Sequence, residues 1–89
     1  MGSIEDYIAR VEETCGEEKA FIVIFKYDKK EHVMAKILEK AKLEKSISNI
    51  VFELTFKGVS FRLYGTGKAI FRNLKDKGEL NSFLSELLL

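Results

Sequence analysis

At 89 residues and 10.2 kDa the chain can bury one layered core, which excludes a second domain and a deep cleft and leaves a surface as the place for any site. Hydrophobic residues at 46% and charged residues at 33% are globular proportions and exclude an apolar-poor disordered segment. One cysteine and one histidine exclude an internal disulfide and a zinc scaffold, while a net charge of +1 leaves any polyanion binding to the placement of charge rather than its sum.

The N-terminal MGSIEDYIARVEE is acidic where a secretory leader would be basic and then apolar, so a cytoplasmic location is expected. Ser3 and Asp6 have the spacing of a capping box, and Ile4, Ile8, Val11 and Cys15 recur at helical spacing before Gly16. This predicts a helix over about 3–15, within an acidic N-terminal extension of residues 1–19 that precedes a domain of residues 20–89. AFIVIFKY, residues 20–27, is a short apolar run of β-branched and aromatic side chains, expected as an interior strand with Ile22 and Ile24 among its side chains. Asp28, with Glu31 three positions on, is expected to cap a second helix whose apolar stripe is Val33, Met34, Ile37, Leu38 and Ala41.

From Ile50 the period becomes two. Ile50, Phe52, Leu54 and Phe56 should face inward, with Val51, Glu53, Thr55 and Lys57 outward. Lys57-Gly58 turns the chain, after which Val59, Phe61 and Leu63 face the core and Ser60, Arg62 and Tyr64 the other way. Residues 68–74 are expected as a strand with Ala69 and Phe71 inward and Lys68, Ile70 and Arg72 outward, although Ile70 competes for the core. After Gly78, Leu80, Phe83, Leu84, Leu87 and Leu88 trace a closing amphipathic helix. The predicted order is α-β-α-β-β-β-α, an α+β fold of two layers in which helices cover one face of an antiparallel sheet. The uncovered face is then the place for function.

Charge is distributed unevenly along this order. Residues 1–18 carry one basic and six acidic side chains, and residues 57–78 carry six basic and one acidic. No glutamine and three asparagines among so many charged side chains suggest a thermophilic source, against which the absence of proline counts.

The stretch LYGTGKAIFRN, residues 63–73, superficially suggests a phosphate loop. A Walker loop needs Gly, four residues, then Gly-Lys-Ser/Thr, so that backbone amides wrap the phosphate and a hydroxyl holds magnesium. Here Arg62 stands where the first Gly is required and Ala69 replaces the hydroxyl residue. The stretch is a hairpin turn leading into a strand.

Tyr64-Gly65-Thr66-Gly67-Lys68, followed by Ala69-Ile70-Phe71-Arg72-Asn73 and an amphipathic helix, resembles one repeat of the TATA-box-binding protein family. The similar order of elements covers about residues 20–88. The resemblance implies a nucleic-acid-binding sheet face, with Tyr64 on the position of an aromatic wedge and Ile70 on a base-contacting apolar position. Arg72 falls where the family has threonine, Asn73 where it has glycine, and Glu53 would add a carboxylate to the face. The family's saddle uses two tandem repeats, so a single-repeat chain would need to dimerise to build one.

Two readings of the open face follow. In the first, Lys57, Arg62, Lys68 and Arg72 neutralise phosphates while Tyr64 and Ile70 contact bases, with DNA or RNA as partner. In the second, Val51 and Ile70 form an apolar centre that meets a protein partner or a second copy. Plain solvation of these side chains on amphipathic strands is the bland alternative. Catalysis is not expected, since Cys15 and His32 lie on different predicted helices and no carboxylate pair is singled out by spacing. No cofactor, metal, small-molecule substrate or membrane contact is expected.

Overall fold

The computed structural model describes residues 4–14 and 19–89. It is an α+β fold: a six-stranded antiparallel sheet of order β1-β2-β6-β5-β4-β3 with two helices. The strands are β1 (Ile8–Glu13), β2 (Phe21–Phe25), β3 (Lys42–Ile47), β4 (Val51–Phe56), β5 (Val59–Tyr64) and β6 (Lys68–Phe71). The helices are α1 (Lys30–Lys40), which carries the chain from β2 to the far edge of the sheet, and α2 (Lys77–Leu88), which closes it.

The helix expected over residues 3–15 is not formed. In its place stand a single 3-10 turn, Ile4–Asp6, and the edge strand β1. The apolar spacing that resembles a helix has two local causes. Ile4 and Tyr7 reach the core from the 3-10 turn, and a bulge in β1 inserts Ala9 between the pairs Ile8–Phe25 and Arg10–Ile24. One extra residue puts Ile8 and Val11, three apart, on the same face of a strand. Ser3, Cys15 and Gly16, the expected cap, stripe end and stop, lie outside the described residues.

The second departure is β3. The helix expected to run on through Ala41 stops at Lys40, Ala41 turns extended, and Lys42–Ile47 pairs with β4 as an edge strand whose every residue is exposed. With nothing to bury and a bulge between Leu43 and Lys45, KLEKSI carries no period-two signal. Nor does Asp28 cap α1: its N-cap is Lys29, with no side-chain hydrogen bond. Val33 and Ile37 are buried and Met34 half-buried, but Leu38 is exposed.

The expected interior position of AFIVIFKY holds, since β2 lies between β1 and β6. Its alternation is strict, with Phe21, Val23 and Phe25 buried and Ile22 and Ile24 half-buried on the other side. Strands β4 and β5 pair in the expected phase around Lys57 and Gly58, whose φ values of 50° and 79° are those of a type I′ hairpin turn, but Ile50, expected inward, precedes β4 and is exposed. Strand β6 ends at Phe71 rather than residue 74, and Leu74 is buried in the connection that follows. Helix α2 begins before Gly78: Asp76 is its N-cap and accepts a 2.8 Å hydrogen bond from the Glu79 amide.

All five apolar residues expected on the closing helix are buried. They meet Val33 and Ile37 of α1 over the face formed by Phe21, Val23, Phe25, Leu54, Phe61, Leu63, Ala69 and Phe71. Phe83 stands edge-on to the rings of Phe56, Phe61 and Phe71 at centroid distances of 5.5, 5.8 and 5.5 Å. Rings in that arrangement add about 0.5–1.5 kcal/mol per pair beyond the area they bury. No polar or charged residue is buried among those described, so the core is held by apolar packing alone.

Candidate functional site

Because side chains alternate along a strand, the residues between the core positions form the opposite face of the sheet. The ladder places them in cross-strand rows. One row runs Glu12, Ile22, Ile70, Arg62, Glu53, Lys45, each paired with the next on the neighbouring strand. The second runs Arg10, Ile24, Lys68, Tyr64, Val51, Ile47. Beside the first row, Thr55 pairs with Ser60 and with Lys42.

These rows bring together most of the residues singled out in the sequence. Arg62 and Tyr64 on β5 stand directly across from Ile70 and Lys68 on β6, and Val51 stands across from Tyr64. The Lys68 ammonium lies 5.1 Å from the Tyr64 ring centroid, within cation–π range. Arg62 Nε is 3.5 Å from Glu53 Oε1, an ion pair exposed enough to contribute little to stability. Ile70 does not enter the core. It is half-buried between Ile22 and Arg62, while its neighbours Ala69 and Phe71 are fully buried.

Lys57 does not join this group. Alternation carried forward from β4 places it outward, but its positive φ in the turn redirects the side chain toward α2. Its ammonium lies 2.7 Å from Glu86 Oε1 and 5.9 Å from the Phe56 ring centroid. It is a cation of the helical side. Arg72 follows β6 directly and lines, with Glu53, Ser60, Arg62, Ile70 and Asn73, a depression of about 250 Å³.

Three basic residues of the open face were not singled out in the sequence: Arg10, Lys42 and Lys45. All lie on the bulged edge strands, where the chain order suggests helices. With Arg62, Lys68 and Arg72 they make six cations on this face, three of which are ion-paired: Arg10 with Glu12 at 3.3 Å, Lys42 with Glu44 at 3.6 Å and Arg62 with Glu53. Glu13 points to the other side of β1 and pairs with Lys19 at 3.0 Å. Glu12 and Glu13 of the acidic N-terminal segment therefore lie on opposite faces of a strand rather than along a helix.

Among the described residues no three His, Cys, Asp or Glu side chains are grouped to hold a metal ion. His32 is exposed on α1 and stacks on Tyr7 at 5.6 Å. No helix among the described residues is long and apolar enough to cross a membrane. Comparison of the chain with models of protein families, with curated proteins and with solved structures finds no match.

Proposed function

We propose that this protein is a small, non-enzymatic module, similar to one repeat of the TATA-box-binding protein, that binds nucleic acid through the open face of its sheet. The observation that carries the reading is the pair of cross-strand rows. Six cations are interspersed with Ile22, Ile24, Ile70, Val51 and the Tyr64 ring, and three carboxylates, Glu12, Glu44 and Glu53, pair with Arg10, Lys42 and Arg62 and leave Lys45, Lys68 and Arg72 outside these ion pairs. Basic side chains can neutralise phosphates while an aromatic ring and apolar side chains meet bases. The net charge of +1 does not oppose this, because a ligand on the sheet experiences the local field of that face first. The resemblance carried by residues 64–73 supports the same face and adds the expectation that two copies join to form a saddle.

Size-exclusion chromatography with light scattering, run with and without a mixed-sequence duplex or single strand at low and high salt, tests the proposal. Complex formation at low salt and release at high salt are expected. Arg62→Ala should weaken binding and reduce the salt slope by about 1, whereas Tyr64→Ala should weaken it with the slope unchanged. No complex with either nucleic acid at low salt would overturn the reading.

A protein partner or second copy is the other reading, favoured by the half-buried Ile22, Ile24, Val51 and Ile70, over which no described element packs. Self-association that is insensitive to nucleic acid and abolished by Ile70→Asp would identify it.

A further inference from the structure

The depression beside β6 differs from the rest of the open face. Two arginines, Arg62 and Arg72, line one hollow of about 250 Å³, and Glu53 is the one acidic residue among its lining. Glu53 is engaged by Arg62 at 3.5 Å, whereas Arg72 makes no hydrogen bond or ion pair with any described residue. Ser60 and Asn73 add neutral donors at the rim, and Ile70 supplies an apolar wall. Arginine offers a planar fork of donors that matches two oxygens of a phosphate, and the unengaged fork of Arg72, beside Arg62 whose Nε faces Glu53, leaves the hollow with a net positive charge that favours an oxyanion over a neutral ligand. The hollow has room for one phosphate and part of what carries it.

The surroundings say what that carrier is. Two residues along β5 from Arg62, a distance of about 6.8 Å in an extended strand, is Tyr64, whose ring belongs to the same face. Ile22 and Ile70 lie across from one another on the neighbouring strands β2 and β6. A planar base joined to the phosphate through a sugar could lie over this apolar and aromatic surface.

We propose that the hollow between Arg62 and Arg72 is a phosphate site for a nucleotide, free or within a single strand, whose base lies toward Ile70 and Tyr64. The inference rests on the reading of this face as a nucleic-acid surface and narrows it to an unpaired nucleotide. It assigns Arg72, at a position where the resembled family has threonine, to phosphate binding in this chain.

The test is an amide-resolved NMR titration of the full chain with inorganic phosphate, a thymidine mononucleotide, and an oligothymidylate with and without a 5′-phosphate. Shifts concentrated at Ser60, Arg62, Arg72 and Asn73 are expected with all phosphate-bearing probes, joined by Tyr64 and Ile70 when a base is present. Arg72→Gln leaves no buried group unpaired and should weaken binding on the order of ten-fold, the loss of a charge-assisted hydrogen bond. Lys57→Gln, on the helical side, should leave binding unchanged. A preference for the 5′-phosphorylated oligonucleotide would identify a terminal phosphate as the source, and equal binding an internal one. Shifts elsewhere on the face, with Arg72→Gln binding as well as the parent, would overturn the hollow while leaving the nucleic-acid reading intact. Binding of phosphate and mononucleotide in the hollow without binding of any oligonucleotide would overturn the nucleic-acid reading and leave the hollow as a mononucleotide site.

Discussion

Lys40, the last residue of α1, donates from its ammonium to the carbonyl of Glu86 in the last turn of α2 at 3.0 Å, and to that of Leu89 at 3.1 Å. The final carbonyls of a helix have no partners within it and carry the negative end of its dipole. One long side chain therefore both satisfies the end of α2 and ties it to α1. Since the ammonium is exposed, Lys40→Met should destabilise by about 0.5–1 kcal/mol in urea unfolding. An unchanged midpoint would show that water serves these carbonyls equally well.

The other end of α2 gives a second prediction. Asp76 accepts from the Glu79 amide, and replacing it with alanine leaves that amide to water, so Asp76→Ala should cost about 1 kcal/mol. Asp76→Asn retains an acceptor and should recover most of the loss, whereas equal loss in both variants would point to charge rather than the hydrogen bond.

Two glycines at hairpin turns should respond differently to alanine. Gly58 has φ 79° and open space where a Cβ would stand, so Gly58→Ala meets backbone strain alone, about 1 kcal/mol. Gly67 has φ 95°, and a Cβ there would come within 3.2 Å of Lys30 Cβ at the start of α1. Gly67→Ala should therefore lose more stability than Gly58→Ala by thermal unfolding. The reverse order would mean that α1 yields more readily than the turn.

Neighbouring residues of β6 give the sharpest contrast. Ala69 is fully buried under the helices, so Ala69→Asp places an unpaired carboxylate in an apolar core and should leave the chain without a cooperative unfolding transition. Ile70→Asp, one residue along on the other face, should stay folded with a loss of about 1–2 kcal/mol while losing ligand or partner. If both unfold, Ile70 contributes to folding in a way its half-burial does not suggest. Circular dichroism melts of the two variants decide the matter.

These contrasts depend on alternation, and alternation governs how much of the protein is legible from its sequence. Strands β4, β5 and β6 each pack one face on the helices, so a period of two is written around Leu54, Phe61, Leu63 and Phe71, while β2 is legible as a short apolar run of β-branched and aromatic residues whose two faces the sequence does not distinguish. Helix α2 is equally clear, because its buried leucines and Phe83 keep helical spacing. Edge strands are under weaker constraint. β3 buries nothing, and β1 touches the core at a spacing that its bulge makes look helical. Arg62, Tyr64, Lys68 and Ile70 could thus be grouped from sequence, but Arg10, Lys42 and Lys45 could not. Lys57 leaves its expected face for a related reason, since a residue with φ 50° no longer follows the parity of the strand before it. The depression beside Arg72 was hidden because it is formed by residues on three strands and a connection.

The bulges have a bearing on how the protein behaves when crowded. A six-stranded sheet ends in two rows of backbone donors and acceptors that could recruit further chains. Here each outer strand is interrupted within its first few residues, at Ala9 and at Glu44, and bears charged side chains next to the break: Arg10 and Glu12 on one rim, Lys42 and Lys45 on the other. A straight strand from another molecule would lose register at the kink and meet those charges, so uncontrolled stacking into fibrils is disfavoured at both rims. The same irregularities that conceal β1 and β3 from a periodic reading of the sequence thus protect the assembled sheet from indefinite growth.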